Sequence, residues 1–132
     1  MSRPDDPFSV KRKLNIEVIK PIAYKFKSTN SLIKVKAYIE KCIEDSVSFD
    51  TEGIYLSLVD KAMAELIKGR KIAVIVRTDN IKRLLGIAFN IKRVYTVENI
   101  PDNVEYAICY CGVTRKEVPP HINVLTTILR KE

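Results

Sequence analysis

The chain has no tryptophan, one histidine, three cysteines and four glycines, and each scarcity excludes a class of function. His121 is the only imidazole and sits beside Pro119 and Pro120, so neither a Ser/His/Asp triad nor a histidine-based metal centre can be assembled from the chain's motifs. The thiols of Cys42, Cys109 and Cys111 are odd in number and too few for a disulfide framework. They read as small apolar packing groups, with Cys109 and Cys111 on one strand face. Neither a G-x-G-x-x-G dinucleotide fingerprint nor a G-x-x-x-x-G-K-[ST] phosphate loop occurs. No apolar run approaches the ~20 residues of a membrane span, so no membrane partner is expected. The start, Met1-Ser2-Arg3-Pro4-Asp5-Asp6-Pro7, lacks the apolar stretch of a secretory signal, which predicts an intracellular, cytoplasmic chain. No cofactor and no metal is expected.

What is present is charge, unevenly placed. The 132 residues carry a net charge of +7. Residues 68–93 hold eight bases (Lys68, Arg70, Lys71, Arg77, Lys82, Arg83, Lys92, Arg93) against the single acid Asp79, a balance equal to that of the whole chain. A field concentrated in this way attracts polyanions, and nucleic acid becomes the leading partner class. Residues 40–65 reverse the sign, with seven acids and two lysines.

Residues 1–13, with a Lys11-Arg12-Lys13 cluster, read as a flexible basic arm before a single domain over 14–132. Leu14, Ile16 and Val18 alternate with polar residues as a strand does. Alternation on either side of Ser28-Thr29-Asn30-Ser31 predicts a hairpin over residues 22–39, which would gather Lys25, Lys27, Lys34 and Lys36 on one face. Such opposed like charges favour a bound anion. A helix from Ser31 to Asp45, with Leu32, Val35, Ile39, Cys42 and Ile43 on one stripe, is the rival reading and would scatter those lysines. Tyr55, Leu58, Val59, Ala62, Met63, Leu66 and Ile67 define the clearest helix, capped by Asp50 or Thr51, stopped at Gly69, with Asp60 on its solvent side.

Residues 72–97 read as a βαβ unit. Its first strand, Ile72 to Val76, is apolar on both faces; a helix follows with Ile81, Leu84, Leu85, Ala88 and Phe89 inward, then a strand from Val94 to Val97. Val104 to Cys111 and Ile122 to Arg130 are further strands, the former with Tyr106 and Tyr110 in the core. The expected fold is therefore α/β or α+β: a mixed sheet of five or six strands, two main helices, an N-terminal hairpin and a βαβ unit.

Ligands of open α/β sheets gather at the carboxyl ends of the strands, which here points to Arg77, Thr78 and the helix start beyond them. The expected nucleic-acid contacts are Lys25, Lys27, Lys34, Lys36, Lys71, Arg77, Lys82, Arg83, Lys92, Arg93, Arg115 and Lys116, with Tyr38 and Tyr95 as stacking partners for unpaired bases. Nothing resembles a recognition helix for the major groove, so single strands are preferred. Two alternatives stand beside this reading. One is an assembly module whose basic face meets an acidic partner or a second copy. The other is a phosphate-handling enzyme such as a nuclease, using Asp79 with Glu98, Asp102 or Glu117.

The Ile- and Lys-rich, Gly-poor composition and the basic stretch from Lys68 to Arg93 resemble small gene products of thermophilic archaea and their rod-shaped viruses. Those include small dimeric single-stranded-DNA-binding proteins that lack the usual OB-fold. The resemblance implies a non-enzymatic, single-strand-binding homodimer from a hot habitat.

Overall fold

The computed structural model describes residues 18–19 and 31–130. In chain order the elements are β1 (Val18–Ile19), α1 (Leu32–Asp45), β2 (Ser48–Asp50), α2 (Leu56–Ile67), β3 (Ile72–Val76), α3 (Asp79–Phe89), β4 (Val94–Thr96), β5 (Tyr106–Cys109) and β6 (Asn123–Leu129), with 3₁₀ turns at Val97–Asn99 and Arg115–Glu117. The fold is α/β, as expected, but every described strand pairing is parallel rather than mixed, and three helices are present rather than two.

The strand order is β1-β2-β6-β5-β3-β4. The connections through α1, α2 and α3 all step in one direction across the sheet, whereas β4 to β5 and β5 to β6 step back. Because crossovers between parallel strands are right-handed, the three helices belong on one face and the returning loops on the other. The two apolar clusters follow this division. Val35, Ile39, Met63 and Leu85 pack with Val74, Val94 and Ile108 on the helical face. Val104, Val113, Val118 and Ile122 pack with Ala73, Ile75 and Cys109 on the other.

Residues 32–39 form helix, not the second strand of a hairpin; residues 22–30, including Lys25 and Lys27, lie outside the described residues. The helical stripe prevails because it is longer than the alternation. Val35, Ile39, Cys42 and Ile43 are all buried, and the Ser31 side chain caps the start by accepting from the Lys34 amide at 3.3 Å. Strand β2, missed in the sequence, contributes the fully buried Phe49 and Asp50. It is held to β6 by buried hydroxyls: Thr126 donates to the Val47 carbonyl at 2.6 Å and Thr51 to the Leu129 carbonyl at 2.8 Å.

Helix α2 begins at Leu56, later than the expected Asp50 or Thr51 cap. Asp60 does not face solvent: it is 3% exposed and accepts a 2.6 Å hydrogen bond from the Tyr110 hydroxyl. In α3 only Leu85 is buried, and the expected inward residues Leu84 and Ala88 are exposed. The helix packs at the margin of the sheet beside the edge strand β4, where there is too little neighbouring structure to cover a full stripe. The three thiols are buried and unpaired; burial first of all pushes Cys42 up to about 12 and Cys109 and Cys111 up to about 11. No helix among the described residues is long and apolar enough to cross a membrane.

Candidate nucleic-acid interface

In a parallel sheet the residues just before each strand all lie on one edge. Strands β3 and β4 are adjacent, with Val74 opposite Val94, and the Val74 amide donates to the Arg93 carbonyl at 2.8 Å. The bases preceding β3 are thereby brought against those preceding β4. Two tight turns complete the convergence. Gly69, at φ +75°, turns the chain out of α2, and Asn90, at φ 58°, ends α3 while its amide donates to the Leu85 carbonyl.

The result is a cleft of about 510 Å³ at the amino edge. Lys68, Arg70, Lys71, Lys92 and Arg93 line it, no acid among the described residues does, and Ile67, Ile72, Phe89 and Ile91 form its apolar part. None of Lys68, Lys71, Lys92 and Arg93 has an ion-pair partner among the described residues. Four cations gathered without an ion-pair partner among the described residues repel one another, and an anion seated among them relieves that repulsion.

Two further clefts share lining residues with this one. One of about 480 Å³ runs along the outer side of α3 past Lys82 and Arg83, and shares Ile91 and Lys92 with the first. The other, of about 400 Å³, lies on the opposite sheet face beside Tyr95 and shares Lys71 and Arg93. The only acids lining these extensions are Asp79 in the first and Glu105 in the second. Of the residues expected to bind, the structure thus assembles Lys71, Lys82, Arg83, Lys92, Arg93 and Tyr95, and it adds Lys68 and Arg70. The signal for those two was available: they immediately precede a strand expected to run parallel to the one after Arg93.

The remaining expected residues are elsewhere or engaged. Arg77 stands at the carboxyl edge, at the crevice between β3 and β5 where ligands of such sheets collect. There its guanidinium donates to both carboxylate oxygens of Glu117, one at 2.7 Å, and to the Gly112 carbonyl. The pair holds Glu117 down at about 2, chiefly through Arg77 and then through the Thr114 amide. The Thr78 hydroxyl is used in the same way, as the α3 cap, accepting from the Ile81 amide at 3.3 Å. Arg77 and Thr78 are thus engaged within the chain, one by the carboxylate of Glu117 and the other as a plain helix cap.

Arg115 donates to the Val118, Pro119 and Pro120 carbonyls, and Lys116 shares that loop. On α1, Lys36 pairs with Glu65 at 3.6 Å and Tyr38 packs against the helical core, so neither joins the amino-edge cleft. Lys34, also on α1, is exposed and likewise does not line it. Of the carboxylates weighed for catalysis, Asp79 is in the first turn of α3 and Glu117 is committed to Arg77.

These features define an α/β protein with a one-sided helical layer, a self-neutralised carboxyl edge and a cationic amino edge. No family model, curated protein or solved structure matches the chain.

Proposed function

We propose that the protein binds nucleic acid, single strands in preference to duplex, without catalysing a reaction on it. One observation carries this reading: five bases and no acid line the amino-edge cleft. Phosphates provide the matching charge, and neighbouring clefts with shared basic residues suit a chain of them better than one isolated anion. Lys82 and Arg83 extend the cationic track at one end, and Tyr95 offers a half-buried ring at the other. The compositional resemblance to small archaeal-virus single-strand-binding proteins points the same way, and with it come an intracellular setting and a homodimer, which sedimentation of the free protein would read as twice the chain mass.

The test is a salt titration with labelled single-stranded and duplex oligonucleotides. Contacts from all five cleft bases predict a slope of log affinity against log salt of about −3.5 on single strands. Magnesium added to the same samples should leave the oligonucleotides intact. Absence of binding at about 50 mM salt overturns the reading.

A further inference from the structure

Gly86 occupies the middle of α3, where glycine is the poorest helix former after proline. The fold does not require it. A Cβ added there would meet only the Ile91 carbonyl oxygen, at 3.7 Å, an ordinary contact. No close packing and no unusual backbone angle explains the residue.

Its position offers a different explanation. Gly86 lines the 480 Å³ cleft on the outward stripe of α3, one turn after Lys82 and Arg83. Ile87 lines the same cleft and is 79% exposed. Lys92 lines both this cleft and the main basic one. A bare patch of helix beside an uncovered aliphatic side chain and three cations matches the chemistry of a nucleotide: an apolar planar base with charged phosphates on either side.

We infer that the groove at Gly86 receives an unpaired base of a bound single strand, packed against Ile87, while Lys82, Arg83 and Lys92 hold the neighbouring phosphates. This rests on the nucleic-acid reading above and locates its strand selectivity in α3 rather than in the tyrosines. A base stacked and paired in a duplex cannot enter the groove. A second copy of the chain is the less fitting occupant, because a two-fold contact here would oppose each of these cations to its own counterpart.

The experiment uses the full chain with Gly86→Met and, separately, Ile87→Ser. Methionine is a strong helix former, so Gly86→Met should raise Tm by about 2–4 °C. It should also weaken single-strand affinity about ten-fold by filling the groove, with duplex affinity within about two-fold of wild type. Ile87→Ser should weaken single-strand binding about five-fold through lost apolar contact. A fall in Tm for Gly86→Met assigns the glycine to packing and overturns the inference. So does unchanged single-strand affinity in both variants, or an equal loss on single strand and duplex. If those two variants bind normally while reversal of Lys71, Lys92 and Arg93 abolishes binding, the nucleic-acid reading survives and this inference alone fails.

Discussion

The two edges of the sheet treat the same kind of residue in opposite ways. At the carboxyl edge Arg77 is held by Glu117 and Gly112, and Arg115 by three carbonyls of its own loop. At the amino edge Lys68, Lys71, Lys92 and Arg93 face a common cleft with no ion-pair partner among the described residues. Position relative to a carboxylate, not the count of bases, separates a structural arginine from one available to a ligand. The difference also inverts the usual expectation for a parallel sheet, whose ligands gather at the carboxyl ends.

The comparison breaks most readily at its strongest point. Reversing Lys71, Lys92 and Arg93 to glutamate should weaken single-strand binding by at least about 100-fold at low salt and reduce the salt slope by about two. Anisotropy titrations measure both, and the fold should be retained because all three residues are exposed. Equal binding by this variant and the wild type would erase the distinction between the edges.

A smaller effect concerns stability. Burial lifts the Asp60 carboxyl to about 6, against the opposing pull of the Tyr110 hydroxyl bonded to it. The folded state therefore holds this proton more tightly than the unfolded state, and the carboxyl's contribution makes stability decline as pH rises from about 4 to about 6. Asp60→Asn preserves an acceptor for Tyr110 without the buried charge. It should raise unfolding free energy at pH 7 by on the order of 1–3 kcal/mol, the gain shrinking below pH 6 and vanishing near pH 4. Urea melts at the two pH values decide it.

The smallest effect belongs to Glu117. Its depressed value means the Arg77 contact stabilises the fold above the ordinary carboxyl range and is lost as pH falls toward about 2. Glu117→Gln should lower the thermal midpoint slightly at neutral pH, with the difference disappearing in strong acid, and leave oligonucleotide affinity unchanged. A loss of binding would place the interface on the carboxyl edge after all.

Much of the frame was legible in the residues. The doubly apolar run Ile72 to Val76 is a central strand, and the Val59, Ala62, Met63, Leu66 stripe is a buried helix face. Residues 32–39 were ambiguous because a short stretch can satisfy both periods, and only burial out to Cys42 and Ile43 separates them. Ser48–Asp50 is too short to carry a pattern. The side-chain pairings away from the site are long-range: Arg77 meets Glu117 across 40 positions and Asp60 meets Tyr110 across 50, and no local rule connects either pair. The amino-edge cluster is the exception, since parallel pairing of β3 with β4 implies it directly.

The place of β6 has a consequence for the chain as it leaves the ribosome. Strand β2 hydrogen-bonds to β6 on one side and to the two-residue β1 on the other. At about 5–20 residues per second, Leu129 follows Asp50 out of the peptidyl-transferase centre after roughly 4–16 s. Phe49 gains the strand on its inner flank only at the end of that interval, after β3, β4 and β5 have been made. Among the described strands, β2 is therefore the one that waits longest in synthesis for its inner neighbour.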